Sequence, residues 1–425
     1  MRTVLFITYY YPPSVDAGAK RAEGFARYLP EHGYEPIVLT VRDGNYQTAG
    51  TPAPPDGPGI IRVPERTFLP SRSRANGGGA VALPRPPSAP ARLVRRLYRE
   101  AFHQPDAYWG FHRPALRQAL EIVARQRVDA VLTTSSPFTL LHTGQALRAR
   151  TGLPWVADLR DLWVHSHLGY PYSRLRRFID ARQERRWLSA ASRLTTATEG
   201  LIDVLRQAGY GDRPMDCVPN GFFDPPPVAN GAGSEGPELR LCYTGTLHER
   251  GGHTAAPLFE ALARLPPPAA VRAVFYGAVN TDFGAQVARY RLSETVSFGG
   301  RLTREEAQRR QQEADVLLVI LPEAPGQKAT LPSKTFDYLA ARRAILAIVP
   351  LWGETAALLR KVGVTRVFAP ADVEGIARAL ADMAEAKRRL GRVPAEADPE
   401  AVAGYHYRHL TGRLARALDA AVASS

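Results

Sequence analysis

The stretch Leu331-Pro-Ser-Lys-Thr-Phe-Asp-Tyr-Leu-Ala-Ala341 lies between two strongly apolar runs, residues 316–321 and residues 344–349. An apolar run, a polar loop, a helical segment and a second apolar run predict a strand, a loop, a helix and a strand in that order. Pro332 is expected at the start of the helix, because its missing N–H costs nothing there. The stretch therefore predicts the repeating unit of a parallel α/β sheet.

The same stretch is a candidate phosphate site. Ser333 and Lys334 would place free backbone N–H groups beside a cation at a helix N-terminus, which favours phosphate binding. Asp337, one turn further on, could accept hydrogen bonds from a sugar hydroxyl. The alternative is an ordinary turn whose lysine is solvated, since helix N-termini of this kind are common in α/β domains.

Strands and helices alternate in the predicted pattern along most of the chain. The predicted strands are 4–9, 35–41, 60–63, 128–136, 153–163, 193–197, 239–245, 270–277, 296–300, 316–321, 344–349 and 366–369. The predicted helices include 20–31, two helices within 92–127, 138–151, 174–190, 199–208, 283–291, 304–313, 354–362, 373–390 and 405–422.

A chain of 425 residues is too long for one hydrophobic core, so two domains are expected. The clearest break is the Pro- and Gly-rich segment 225–237, which predicts a linker. The fold class is therefore α/β, with two Rossmann-like domains, 1–224 and 238–392, whose parallel sheets face each other across a cleft. Residues 393–425 form a C-terminal segment.

Candidate ligand-binding residues also occur in the first half. Gly18 lies where a loop enters the first predicted helix, and glycine allows close backbone approach to a ligand, although one glycine is a weak signal. Asp158, Arg160 and Asp161 lie at the carboxyl end of the strand predicted at 153–163, the edge where α/β folds bind ligands. The alternative for these charged residues is an internal Arg–Asp pair.

The net charge of +14 implies an anionic partner: a nucleotide, a phospholipid surface or nucleic acid. Residues 85–127 contain nine arginines and three acidic residues, and a second arginine-rich helix is predicted at 174–190. This surface predicts peripheral contact with anionic lipid headgroups, unless it is simply a solvated arginine face. Nucleic acid is not favoured, because few aromatic residues are interleaved and no reader motif is present.

The composition also indicates the cellular compartment and whether a cofactor is needed. Cys217 and Cys242 make no disulfide framework or zinc pattern, which suggests a reducing cytoplasm. No apolar run reaches the ~18 residues of a membrane span, and residues 1–13 resemble a first strand more than a signal peptide. We expect a cytoplasmic protein, or one peripheral on the inner face of the membrane. The chain contains no Asp-x-Asp pair, so no metal or other cofactor is predicted.

The order of several short motifs resembles that of the retaining, nucleotide-sugar-dependent glycosyltransferases of family 4, which have the GT-B fold. These motifs are Tyr10-Tyr-Pro-Pro13 with Ala17-Gly-Ala-Lys-Arg21, Val156-Ala-Asp-Leu-Arg-Asp-Leu-Trp163, Val218-Pro-Asn-Gly221, Tyr243-Thr-Gly-Thr-Leu-His-Glu-Arg-Gly251, Phe298-Gly-Gly-Arg301, Ala314-Asp-Val316 and Pro332-Ser-Lys334 with Asp337-Tyr-Leu-Ala340. The resemblance spans nearly the whole chain. It also implies that the terminal helix packs back on the first domain.

The resemblance implies a role for each candidate residue. The Gly18 backbone, Arg250 and Lys334 would approach the donor diphosphate, and Asp337 would bind the nucleotide ribose. Arg160, with Asp161 beside it, stands where many members carry a histidine next to the reacting sugar. The resemblance places the remaining donor-binding residues in the same motifs: Gly245, Thr246, Arg301, Pro332 and Ser333.

The implied function is transfer of a sugar, with retention, from a UDP- or GDP-linked donor to a small-molecule, glycan or lipid-linked acceptor. Two alternatives stay open at this point. One is a GT-B epimerase or hydrolase, which would consume the donor without an acceptor. The other is a nucleotide-sugar-binding protein without transfer, favoured only by Ala329, which stands where the family often has a second glutamate.

Overall fold

The computed structural model describes residues 1–14, 17–42, 59–66, 98, 100, 103–166, 169–224, 236–247, 255–265, 270–279 and 283–424. The chain divides into two compact units, Met1–Pro219 with Leu410–Ser425, and Asn220–His409. Most of the predicted linker and of the basic helix expected after residue 91 lies outside the described residues, and so does Arg250.

The first unit alternates strands and helices. Its strands are β1 (Arg2–Ile7), β2 (Tyr34–Val41), β3 (Ile60–Val63), β4 (Ala130–Ser135), β5 (Trp155–Leu159), β6 (Arg193–Thr196) and β7 (Met215–Cys217). Its helices, apart from the C-terminal one, are α1 (Ala17–Tyr28), α2 (His112–Arg125), α3 (Thr139–Thr151), α4 (Arg174–Ser189) and α5 (Glu199–Leu205).

Within the described residues, the strands of this unit form one parallel sheet in the order β3-β2-β1-β4-β5-β6-β7. The predicted α/β class is therefore confirmed. The strand order reverses between β1 and β4, which is the switch point at whose carboxyl edge α/β sheets bind ligands. The strand expected at 153–163 ends at Leu159, because the charged residues after it leave the buried layer.

A buried ion pair joins three segments of the first unit. Arg21 of α1 donates two hydrogen bonds to Asp158 of β5, at 2.9 and 2.7 Å, and both side chains are fully buried. Arg21 also donates to the carbonyl oxygens of Val218 and Pro219. Asp158 is thus part of an internal Arg–Asp pair, although its partner is Arg21 and not the neighbouring Arg160.

Hydrogen bonds from two threonines complete the shell of Asp158. The hydroxyls of Thr134 in β4 and Thr195 in β6 each donate to its carboxylate at 2.7 Å. Burial alone would raise the pKa of Asp158, but the Arg21 charge and these hydrogen bonds outweigh it, and the net shift of the pKa is downward. Asp158 is therefore ionised across the physiological range.

The second unit repeats the arrangement. Its strands are β8 (Leu239–Thr246), β9 (Val271–Ala278), β10 (Val296–Phe298), β11 (Val316–Ile320), β12 (Ala344–Ile348) and β13 (Val367–Phe368). Its helices are α6 (Ala256–Ala263), α7 (Phe283–Arg289), α8 (Arg304–Glu313), α9 (Ser333–Ala340), α10 (Glu354–Lys361), α11 (Val373–Leu390) and α12 (Pro399–Ala403).

Within the described residues, the second sheet is also parallel, with the order β10-β9-β8-β11-β12-β13 and a switch point between β8 and β11. β11 and β12 are buried on both faces, and a separate cluster of apolar side chains covers each face. Thr303 and Glu306 form a capping box at the start of α8.

The C-terminal helix α13 (Tyr407–Ala423) begins in the second unit, and the segment from Leu410 onward groups with the first unit. Asp419 of this helix accepts hydrogen bonds from Arg2 and from the hydroxyl of Tyr34. The short helix α12 and the strand β7 were not predicted. Among the described residues, no helix combines the length and the apolarity needed to cross a membrane.

Removing Asp158 should destabilise the first unit strongly. Asp158→Ala leaves the Arg21 guanidinium buried without a counter-charge, so we expect the free energy of unfolding to fall by about 3–5 kcal/mol. Urea titration monitored by tryptophan fluorescence measures this free energy of unfolding. Tryptophans 109, 155, 163 and 187 all lie in this unit.

The matched control is Arg117→Ala, which removes a solvent-exposed ion pair with Glu121 and should change stability by about 0.5 kcal/mol or less. Equal losses in the two variants would contradict the structural role assigned to the buried pair.

Candidate active site

In the first unit, three of the loops at the carboxyl edge of the sheet converge at the switch point. Gly18 lies in the first turn of α1, which follows β1, while Ser136 follows β4 and Arg160 follows β5. The backbone N–H of Arg160 donates to the carbonyl of Ser135 at 2.9 Å, which continues the strand pairing into this loop. The structure therefore brings Gly18 and Arg160 together.

The Arg160 guanidinium is held by short-range contacts. Nη2 donates to the hydroxyl of Ser136 at 3.0 Å, and Nε donates to the Asp161 carboxylate at 3.3 Å. The guanidinium carbon lies 5.8 Å from the centre of the Tyr10 ring. Only 14% of the Arg160 side chain is exposed, against 51% for Asp161. A cation is thus fixed beside the positive end of α1, an arrangement suited to an anion.

Gly18 is glycine because Arg160 occupies the space of a side chain. A Cβ atom built on Gly18 would lie 1.7 Å from Nη1 of Arg160. No side chain can be added at this position unless the guanidinium moves. The glycine that the sequence assigned to backbone approach therefore also sets the position of the arginine.

In the second unit, the candidate residues gather between β8 and the start of α9. Pro332 caps α9, so the helix begins one residue later than the sequence suggested, at Ser333. The Lys334 ammonium lies 3.7 Å from the centre of the Tyr243 ring, within cation–π distance. A Cβ atom on Gly245 would lie 3.1 Å from Lys334 Nζ, so the glycine leaves room for the amine.

Burial strongly perturbs Lys334. Desolvation lowers the pKa of its amine to about 7. The residue as a whole keeps partial solvent exposure, so it is the amine end of the side chain that is desolvated against Tyr243. Burial is the cause of this shift, and no charge among the described residues contributes to it. A cation without a local counter-charge, next to a helix N-terminus, favours binding of an anion.

Backbone crowding fixes the end of β8. A Cβ atom on Gly277 of β9 would lie 2.0 Å from the carbonyl oxygen of Gly245, and both glycines have positive φ, 123° and 128°. Gly277 also donates its N–H to the carbonyl of Gly300, which precedes the exposed Arg301. Gly245, Thr246 and Arg301 therefore lie at the carboxyl edge of one sheet.

Asp337 and Arg250 complete the predicted set. Asp337 lies one turn into α9 and is partly exposed. Arg250 lies outside the described residues, so its predicted contact with the diphosphate stays a prediction. In the described parts of the chain, no group of three or more His, Cys, Asp and Glu side chains could hold a metal ion.

Sequence reasoning missed two of the side chains that shape the site. Tyr243, under the Lys334 amine, was part of a quoted motif but was not assigned a role, although it lies two residues before Gly245 and thus on the same face of the strand. Ser136 was part of a polar loop without a distinguishing signal.

The comparisons with known proteins agree with this geometry. Residues 17–221 match the family model of the glycosyl transferase 4-like domain. The matched region contains Gly18, Ser136, Arg160 and Asp161, and the match supports sugar transfer in general terms. No curated protein matches the sequence.

Solved structures resemble the whole chain. Sucrose-phosphate synthase from Thermosynechococcus elongatus is 15% identical, with 100% of both chains covered and a TM-score of 0.66. HepE of Anabaena, solved in complex with UDP and glucose, is 14% identical over 99% of this chain and 100% of that one, with a TM-score of 0.61. α,α-Trehalose 6-phosphate synthase from Burkholderia multivorans is 13% identical over 100% of both chains, with a TM-score of 0.57. At these identities the similarity shows the fold, and the predicted GT-B fold is confirmed.

Adding a methyl group at Gly18 should act through Arg160. Gly18→Ala is expected to displace the guanidinium and weaken binding of a nucleoside diphosphate by roughly tenfold, while the melting temperature changes little because only a side-chain end must move. Calorimetry measures the affinity. Gly284→Ala in α7, where a Cβ atom meets nothing within 4 Å, is the control.

Gly18→Ala in an Arg160→Ala background tests whether the loss of nucleotide affinity depends on Arg160. The loss caused by Gly18→Ala should disappear there, because the two residues are in contact and their effects are then not additive. Additive losses would contradict the assignment.

Proposed function

We propose that this protein is a retaining glycosyltransferase that moves a sugar from a nucleoside diphosphate donor to a hydroxyl of its acceptor. The observation that carries the proposal is the desolvated amine of Lys334, held over the Tyr243 ring at the N-terminus of α9. Phosphate is the anion that matches a helix N-terminus with a lysine beside it.

The chemistry requires stabilisation of the leaving group. When the bond between the sugar C1 and the phosphate oxygen breaks, negative charge develops on the β-phosphate. The Lys334 ammonium and the first backbone N–H groups of α9 would stabilise that charge through charge-assisted hydrogen bonds. Arg250 is assigned the same role from its motif.

We assign Arg160 to the reacting sugar, with Asp161 beside it. The guanidinium is fixed by Ser136 and Asp161 and does not need to be ordered when the substrate binds, which reduces the cost of reaching the transition state. For retention, the acceptor oxygen would attack C1 on the face from which the phosphate leaves. The C1–O bond to the acceptor forms, the C1–O bond to phosphate breaks, and the acceptor proton passes to the leaving phosphate.

UDP is the first donor nucleotide to test, since HepE was solved with UDP and glucose, and GDP is the second. The acceptor belongs to the small-molecule, glycan or lipid-linked class. Cys217 and Cys242 form no disulfide, which supports the expected cytoplasmic location.

Mass spectrometry of reaction mixtures tests the proposal. A thermal-shift panel of UDP, GDP, TDP and ADP first identifies the nucleotide, and the matching nucleotide sugars are then incubated with candidate acceptors. A sugar–acceptor adduct with retained anomeric configuration is expected. Donor consumption without any adduct would favour an epimerase or hydrolase, and nucleotide binding without turnover would favour a binding protein.

Lys334→Ala should reduce the transfer rate by ~10²-fold or more, because it removes a charge-assisted contact to the leaving group. Arg250→Ala should have an effect of similar size. Initial rates at saturating donor measure both. The matched control is Lys328→Ala, which removes an exposed lysine near the same loop and should leave the rate unchanged. Near wild-type rates in the Lys334 and Arg250 variants would show that the phosphate site is wrongly assigned.

Binding of the diphosphate should also take up a proton. The amine of free Lys334, with a pKa of about 7, is mostly neutral at pH 8, and a bound diphosphate would raise this pKa. The affinity for UDP should therefore fall as pH rises above about 7, by up to tenfold per pH unit.

Calorimetry at pH 8 in two buffers of different ionisation enthalpy measures the proton directly, with an expected uptake approaching one per UDP. Lys334→Gln should abolish the uptake. An uptake that persists in this variant would place the titrating group elsewhere.

A further inference from the structure

Helix α4 buries three charged residues and exposes three apolar ones. Arg176, Asp180 and Glu184 recur every four residues and are all buried. Leu175 is 70% exposed, Phe178 is 62% exposed and a third apolar side chain follows on the same face. An ordinary surface helix buries its apolar side chains, and α4 does so only near its end, at Trp187 and Leu188.

Specific contacts lock the helix in this orientation. Nε of Arg176 donates to Asp180 at 2.7 Å, and Asp180 also accepts from Gln104 at 3.1 Å. Glu184 accepts from the backbone N–H of Val164 at 2.7 Å. The helix cannot roll to bury its apolar face without breaking these buried bonds, and an unsatisfied buried polar group is costly.

The buried carboxyl of Glu184 has a shifted pKa. Burial raises the pKa of its carboxyl to about 7, despite the hydrogen bonds from Val164 and from the Tyr210 hydroxyl, which lower it. The inward face of the first three turns of α4 is therefore occupied by charged groups that need their partners, and the apolar side chains on the opposite face stay exposed.

The outward face combines apolar and cationic side chains. Ile179 is 39% exposed and lies one turn from Leu175, with Phe178 between them along the helix. The exposed arginines of the helix are Arg174, Arg177, Arg182, Arg185 and Arg186. The two acidic residues of the helix, Asp180 and Glu184, are buried, so its exposed face carries no carboxylate.

We propose that the exposed face of α4 docks on an anionic membrane surface. Leu175, Phe178 and Ile179 would enter the boundary between headgroups and acyl chains, and the arginines would contact lipid phosphates. The guanidinium carbon of Arg182 lies 5.9 Å from the centre of the Phe178 ring, so a cation and an apolar ring lie side by side on this face.

The positive charge of the exposed face of α4 favours a membrane over a second copy of the chain as its partner. Five arginines without an exposed acid on the same helix would repel an identical face, whereas a negatively charged leaflet attracts each of them. The partner is thus a surface of anionic phospholipid, and the proposal is independent of whether sugar transfer is correct.

Cosedimentation of the full chain with vesicles tests the proposal. Wild-type protein should bind vesicles of phosphatidylcholine with phosphatidylglycerol, and bind vesicles of pure phosphatidylcholine far more weakly. Leu175→Ser combined with Phe178→Ser should reduce the partition coefficient by about tenfold or more. Arg174→Gln combined with Arg182→Gln should reduce binding and flatten its dependence on salt.

The matched control removes exposed apolar side chains of the second unit, Leu351→Ser combined with Leu390→Ser, and should bind like wild type. Circular dichroism confirms that each variant folds, as expected for exposed positions. Failure of the wild type to bind anionic vesicles, or wild-type binding by the Leu175/Phe178 variant, would overturn the proposal. So would a wild-type dimer, detected by light scattering, that the same variant dissociates.

Discussion

The buried ion pair between Arg21 and Asp158 is the interaction on which the first unit depends. It connects helix α1, strand β5 and the chain at Val218 and Pro219, and two threonines from the flanking strands complete the shell of the carboxylate. Neither charge could be buried alone, because the desolvation cost of an unpaired ion is too large. Once the pair forms, the first turn of α1 and the end of β5 are fixed next to each other, which sets Gly18 against Arg160.

The second unit also positions a cation at the carboxyl edge of its sheet, but close backbone packing sets its place and not an ion pair. Its carboxyl edge is organised by close backbone approach at Gly245 and Gly277, which leaves a space that the Lys334 amine enters. The Tyr243 ring then supplies favourable contact with the cation but no counter-charge. Both units thus present a fixed cation at the switch point of a parallel sheet. In one the charge is hydrogen-bonded, and in the other it is desolvated and has a shifted pKa.

Much of the fold could be predicted from the sequence, because strong local signals set the ends of the elements. β3, α8 and α11 have the predicted bounds, and the capping box that begins α8 could be read directly from Thr303 and Glu306. The strand 153–163 was predicted too long, since an apolar pattern does not show where a chain leaves the sheet. α12 and β7 were missed because short elements depend on tertiary contacts more than on local pattern.

The sequence could predict which residues lie at the carboxyl edge of each sheet, but it could not predict which side chains contact each other there. Residues at the carboxyl ends of parallel strands must share one edge of the sheet, so Gly18 and Arg160 could be placed together. Which arginine pairs with Asp158 could not be predicted, since Arg21 lies 137 positions away and Arg160 only two. The exposure of Leu175, Phe178 and Ile179 in α4 could not be predicted either, because the sequence does not show which residues of the helix face the protein.

Sugar transfer at this site requires that the diphosphate of a nucleotide donor bind at the N-terminus of α9. A crystal structure of the protein with a bound nucleoside diphosphate tests this most directly. We expect a phosphate oxygen within hydrogen-bond distance, about 2.7–3.2 Å, of both Lys334 Nζ and a backbone N–H of the first turn of α9. A nucleotide bound away from this turn, with no phosphate contact to Lys334, would contradict it.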